Sequence, residues 1–215
     1  MIQGYIPSQQ RLILDNVSWT EYSRFLRDFE HRRLRLTYDR GRLEIMTLSH
    51  EHESLGRFIG RLVITLTEEL NLPIKEGGST TFRKKRKQKG LESDNCYWIA
   101  HEAEVRGKTV IKLRIDPAPD LAIEVDVSRS SMNRMRIYAA IKVPEVWRYD
   151  KQGLAFFALD PDGKYGTVAV SPTFPIAIAP ADLTPFIEMR KQMDENAVIR
   201  QFRAWIRTRI ATKQP

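Results

Sequence analysis

Leu121-Ala122-Ile123-Glu124-Val125-Asp126-Val127, then Met132 to Ile141, then Val146-Trp147-Arg148-Tyr149, is the stretch that decides the architecture. The first segment alternates, with Leu121, Ile123 and Val125 on one face and Glu124 and Asp126 on the other. Asp116-Pro117-Ala118-Pro119 stiffens the approach to it, and Ser128-Arg129-Ser130-Ser131 reads as a strand-to-helix turn. Strand, helix and strand in this order predict a right-handed parallel crossover. A carboxylate inside an apolar strand is costly unless something compensates it, and a divalent cation is one such partner.

Working outward, a second acidic segment precedes the first. Glu92-Ser93-Asp94-Asn95-Cys96-Tyr97-Trp98 also runs acid into apolar strand, with the strand expected over Asp94 to Ala100. Upstream, Ser49 caps a helix whose stripe is Leu55, Phe58, Ile59, Leu62, Val63, Leu66 and Leu70, ended by Asn71 and Pro73. Leu34 to Tyr38 and Arg42 to Met46, joined at Asp39-Arg40-Gly41, form a hairpin. Ser18-Trp19-Thr20-Glu21 is a capping box that opens a helix with Tyr22, Phe25, Leu26 and Phe29 on one face. Short strands are expected at Ser79 to Phe82 and Thr109 to Ile115. Downstream come strands at Leu154 to Leu159 and Tyr165 to Val170, then an amphipathic helix over 196–209. The whole is an α/β fold, a mixed β-sheet flanked by helices, read as one domain over 1–215 with its core at about 18–170.

Composition is globular, with 42% hydrophobic residues, and the net charge of +8 favours an anionic partner such as nucleic acid. Cys96 is the only cysteine, which excludes an intrachain disulfide and a cysteine-based zinc site. It fits a reducing cytoplasm. No apolar run approaches the roughly 20 residues of a membrane helix.

Several side chains invite two readings. Asp94 is a turn residue before a strand, or a ligand; Glu124 faces solvent, or a cation. Asp126 shares the face of Glu124 and is a candidate third ligand, while Asp120, after Pro119, is assigned a strand-start role. Glu44 faces water or the edge of a metal site. His50 and His52, two apart, do not share a helix face, so a helical zinc pair is excluded. His52, near a helix start, is still placed to meet an anion or a water. His31 and His101 have no partner legible in the sequence. Arg83, Lys84, Lys85, Arg86, Lys87 and Lys89 form a run with no apolar residue, expected to be a solvated loop that touches phosphate backbone.

The order of these segments resembles the Uma-two restriction-endonuclease family of the PD-(D/E)XK nuclease superfamily. The matching words are Gly41 to Met46, Ser49-His50-Glu51-His52, Gly90-Leu91-Glu92-Ser93-Asp94, Ala118 to Val125, and Ile137 to Trp147. The similarity spans about Ser18 to Tyr165. It implies a restriction-endonuclease-like core and a metal-dependent endonuclease, a hydrolase of DNA phosphodiester bonds using Mg²⁺ (or Mn²⁺). On that resemblance Asp94 stands at the aspartate of the family's Pro-Asp word and Glu124 at the first acid of its Glu-x-x word. Arg134 stands at the basic position four before Tyr138. Asp94, Glu124 and Arg134 are thus the implied catalytic set, and Asp94, Glu124 and Asp126 the implied metal ligands.

Three positions depart from the pattern. Ser93 replaces the usual proline and is expected to loosen the turn; Asp126 replaces the lysine of Glu-x-Lys; Arg134 replaces lysine at the alternative basic position. Arginine neutralises phosphate well but is no general base. These departures keep two alternatives beside the nuclease: a nuclease fold that binds nucleic acid without cutting, and a structural protein whose C-terminal helix, with Phe202 and Trp205, mediates a partner contact or a homodimer.

Overall fold

The computed structural model describes residues 10–32, 34–126 and 132–212. Val127 and the turn at 128–131 lie outside the described residues.

The chain opens with β1 (Arg11–Leu14) and α1 (Trp19–Asp28). Ser18 and Glu21 close the capping box of α1 reciprocally. The hairpin of β2 (Leu34–Asp39) and β3 (Arg42–Thr47) follows. It turns through Arg40 and Gly41, both at positive φ, the backbone that a two-residue hairpin loop needs. Helix α2 (His50–Glu69) starts at the Ser49 cap and buries the stripe read from sequence. Then come β4 (Lys75–Glu76), β5 (Thr81–Lys84), a single 3-10 turn (Lys85–Lys87), β6 (Lys89–Glu92), β7 (Asn95–Trp98) and α3 (Glu102–Val105). The decisive stretch forms β8 (Leu121–Asp126), α4 (Arg134–Ile141) and β9 (Glu145–Asp150), and β8 and β9 are parallel. β10 (Gly153–Leu159), β11 (Tyr165–Val168), α5 (Pro180–Met189) and α6 (Glu195–Ala211) complete the chain.

The strands divide between two sheets. One is antiparallel, in the order β1-β3-β2-β6-β5; the other is mixed, in the order β11-β10-β9-β8-β7-β4. The mixed sheet with flanking helices is the α/β architecture expected, and the acidic segments sit side by side, β7 antiparallel to β8.

Each sheet has two different faces. On β8, Leu121, Ile123 and Val125 pack against Leu55, Phe58, Ile59 and Leu62 of α2. Gly60 permits the close approach of α2 to β7, because a Cβ there would lie 2.6 Å from the Tyr97 hydroxyl. On the antiparallel sheet, Leu36, Tyr38 and Leu43 pack against Tyr22 of α1. The opposite face carries Arg35, Thr37 and Glu44, all buried. Side-chain alternation therefore turns a polar face of β2 and β3 inward, and ion pairs join it to Asp94 and Asp126.

The expected strand at Thr109 to Ile115 does not form; the segment turns, leaving Val110 and Ile115 exposed. Asp116 is the cause. Its carboxylate accepts from the Lys112 N–H at 2.6 Å and pairs with Lys108 at 2.6 Å, which satisfies the segment locally in place of a ladder. The basic run is also not a free loop. It is the β5–β6 hairpin end, where Lys89 is buried against Asp39 at 2.8 Å and the Lys84 ammonium donates to the Ala140 carbonyl at 2.8 Å. Arg83, Lys85, Arg86 and Lys87 remain exposed, charging an edge strand against unwanted pairing. Helix α6 buries Val198, Ile199, Phe202 and Ile206, and Phe202 and Trp205 pack on Phe186 of α5. Arg203 and Arg207 bind Glu69 of α2 at 2.7 Å each. The apolar face of α6 is thus used within the chain.

Candidate active site

Asp94 occupies the bend before β7, and its side chain is buried. Its Oδ2 accepts from the Val125 backbone N–H at 2.6 Å, which ties the two acidic segments together. Its Oδ1 lies 2.8 Å from His52 Nε2 and 3.3 Å from Arg35 Nε. Ser49 caps α2 by accepting from the His52 N–H, and this places the imidazole at the helix start, over Asp94. Ser93 does not loosen the turn. Its N–H donates to the Thr80 carbonyl at 3.3 Å, a bond proline could not make, and its carbonyl accepts from Arg35.

Glu124 is the corresponding group on β8. Its Oε2 accepts from the Tyr138 hydroxyl at 2.8 Å, and its Oε1 lies 2.5 Å from Arg134 Nε. Asn133 caps α4 by accepting from the Arg136 N–H, so Arg134 emerges in the first turn, directed at β8. Its two terminal nitrogens donate to Thr37 Oγ1 at 2.8 Å and to the Glu92 carbonyl at 2.5 Å. Arg134 therefore spans both sheets. The Nε contact to Glu124 is ionic and is not aligned as a hydrogen bond.

The two carboxyls titrate in opposite directions. For Asp94 burial acts upward, but Arg35, His52 and Arg134 together outweigh it and hold the group well below the aspartate range. Burial pushes Glu124 upward, against the pull of Arg134, and the charge of Asp94 adds to that rise. Burial also raises the Tyr138 hydroxyl, so it stays a proton donor to Glu124. Two acids driven apart by their surroundings are a common arrangement where one must stay charged and the other must handle a proton.

The remaining sequence-predicted residues fall into place around this pair. Arg11 joins Glu44 at 3.4 Å to Asp126 at 3.1 Å, and Asp126 also lies 3.8 Å from Arg148. Asp126 is thus bound to arginines and does not meet Asp94. Asp120 anchors the start of its strand: it accepts from the Ile99 and His101 N–H groups and pairs with the His101 ring at 2.5 Å. That supplies the partner of His101 that the sequence did not reveal. The cations of the β5–β6 hairpin lie beside the C-terminal end of α4, where Lys84 reaches Ala140, whereas Arg134 is at its other end.

Arg35, Arg11, Thr37 and Tyr138 were not singled out by sequence reasoning. The alternation Leu34-Arg35-Leu36-Thr37-Tyr38 puts Arg35 and Thr37 on one face, but only the second sheet shows that this face is buried. Among the described residues the buried His52 Nδ1 has no hydrogen-bond partner, while Arg35 Nε and Arg134 Nε meet the carboxylates of Asp94 and Glu124 as ionic contacts without aligned hydrogen bonds. Glu124 and Arg134 line an open groove of about 520 Å³, and Asp94, His52 and Arg35 line a separate one of about 230 Å³.

The site is a pair of buried acids, each held by an arginine, on a mixed sheet. The family profile described as "Putative restriction endonuclease" (Uma2) matches residues 19–187, and the chain belongs to this family. Among solved structures, the chain is similar to a crystal structure described as "a putative nuclease belonging to DUF820" from Anabaena variabilis ATCC 29413. Sequence identity is 12% and the TM-score 0.48, over 71% of this chain and 90% of that one. No curated protein matches the sequence. Restriction-endonuclease-like families generally use divalent metal ions. Among the described residues, no helix is long and apolar enough to cross a membrane.

Proposed function

We propose that the chain is an endonuclease acting on the phosphodiester backbone of DNA, with its site at Asp94, Glu124 and Arg134. The observation that carries this reading is the Arg134 guanidinium, fixed by Thr37 and the Glu92 carbonyl against the Glu124 carboxyl in an open groove. Arg134 offers a permanent positive charge to a phosphate, and Glu124 has a raised affinity for a proton; once a phosphate draws Arg134 away, its Oε1 is free to accept one from an attacking water. Asp94 stays charged and holds His52 and the β7–β8 junction in place.

The divalent ion that the family implies does not fit the carboxylates as they stand. Both Asp94 oxygens are taken by His52, Arg35 and the Val125 N–H, and both Glu124 oxygens by Arg134 and Tyr138. Among the described residues no group of three or more acidic, histidine or cysteine side chains converges. No step is therefore assigned to an Mg²⁺ or Mn²⁺ ion.

The Arg134–Glu124 contact also favours a second reading, in which the groove binds nucleic acid and does not cut. Incubating labelled DNA with the protein, with and without Mn²⁺, separates the two. Cleavage lost in both Asp94→Ala and Glu124→Ala, each folded, supports the endonuclease. Salt-sensitive binding with no cleavage supports the second reading, and cleavage that survives both substitutions removes the assigned site.

A further inference from the structure

The groove beside Glu124 combines charged and apolar side chains. Its lining mixes the cations Arg134, Arg136, Arg148 and Lys164 and the acids Glu124 and Asp126 with the apolar side chains of Phe157 of β10 and Met135 of α4. Arg136 and Lys164 are exposed, and Arg148 is half-buried with Asp150 at 3.0 Å. Phe157 is half-buried and packs in no hydrophobic cluster of the core, unlike its neighbours Leu154 and Phe156. An aromatic ring kept out of the core and set in a cationic groove invites a flat partner.

We propose that this groove takes one unpaired nucleotide of a DNA strand, its base against Phe157 and its phosphate among Arg134, Arg148 and Lys164. The proposal rests on the nucleic-acid reading of the site and specifies the form of strand it accepts. Three observations converge on it. The volume of about 520 Å³ lies in the range of single small-ligand pockets, roughly 300–1,000 Å³, and suits one nucleotide. The cations complement a phosphate, and the ring complements a base, the pairing by which single strands are held without sequence preference. Glu124 and Arg134 are themselves more than nine-tenths buried, so a phosphate must be drawn down to them. In a duplex the base faces are stacked and unavailable to Phe157; an unpaired nucleotide exposes its base and bends freely at its backbone.

The test is fluorescence anisotropy on the full chain with three labelled probes: an oligothymidine strand, a duplex of equal length, and a strand of abasic sugar-phosphate. The oligothymidine is expected to bind about 10-fold tighter than either other probe. Phe157→Ala is expected to weaken oligothymidine binding by roughly 5- to 100-fold, the usual effect of losing one stacked base. Its effect on duplex binding should be under twofold. Phe157→Leu keeps apolar volume without an aromatic face, and it serves if the alanine variant does not fold; it is expected to behave like the alanine variant. Oligothymidine affinity unchanged in a folded Phe157 variant, or duplex and abasic strand bound as tightly as oligothymidine, overturns the nucleotide pocket and leaves the nucleic-acid reading standing. If none of the three probes binds in a salt-sensitive way, both fail together.

Discussion

The two faces of β8 are built from adjacent residues and could hardly differ more. Leu121, Ile123 and Val125 lie in a dry cluster with α2, where each side chain adds burial and nothing has to be matched. Glu124 and Asp126 point the other way, into ion pairs with Arg134, Arg11 and Arg148. Buried ion pairs contribute little net stability, since desolvation offsets their attraction, yet losing one partner is severe. The apolar face holds the fold, and the polar face adds little to it while being costly to disturb.

The predictions test that contrast from the largest effect down. Phe58→Ala should cost about 4 kcal/mol of unfolding free energy, because it empties a site in the cluster under β8. A loss below about 1 kcal/mol in urea unfolding would mean that α2 does not anchor the sheet as described. On the polar side, Arg35→Ala should cost about 3 kcal/mol, because it leaves Asp94 buried with one cation fewer. Adding Asp94→Asn to it should recover part of the loss, and a double mutant no better than the single would break the proposed coupling.

Tyr138→Phe removes one donor from Glu124 and should cost about 1–2 kcal/mol. It should also change the pH dependence of any nucleic-acid activity, whereas a purely structural hydroxyl would leave that profile in place.

The two acids should leave opposite marks on stability against pH. Asp94 is held low, so its contribution is present above its ordinary value of 3.8 and is lost as pH falls through its lower folded value. Glu124 is held high, so its contribution is complete below 4.5 and is lost as pH rises through its raised folded value. Thermal melts of Asp94→Asn and Glu124→Gln should flatten the acid and the neutral limb respectively; the same limb flattened by both would contradict the assignment. Smallest of all, Arg86→Gln with Lys87→Gln should change stability by less than about 0.5 kcal/mol, because both side chains are exposed. The pair should lower nucleic-acid affinity modestly and reduce the salt slope, if the hairpin meets backbone.

Local elements were legible because local physics sets them. The Ser18 capping box, the Ser49 helix with its apolar stripe, and the alternation through β8 appear where hydrogen bonding and side-chain period require them. Thr109 to Ile115 misled because its strand-like residues are overruled by one carboxylate, Asp116, that satisfies the turn. β1 and β4 are too short for a periodic signal, and their pairings are set by partners distant in the chain. Helix α5 begins at Pro180 without a side-chain cap hydrogen bond, so its start is not announced by a capping residue.

The amino-acid order carries the mixed α/β sequence of elements, the parity that puts Glu124 opposite the α2-facing residues, and the presence of two acidic segments, whose pairing came from the fold. It also carried the family resemblance. Only the tertiary structure decided that Asp94 and Glu124 are each bound by a buried arginine, that Asp126 belongs to Arg11 and Arg148, and that Asp94 and Glu124 open on different grooves. The reason is physical. Parity and capping depend on neighbours in the chain, whereas the charge state and partners of a buried acid depend on what two separate sheets bring to it.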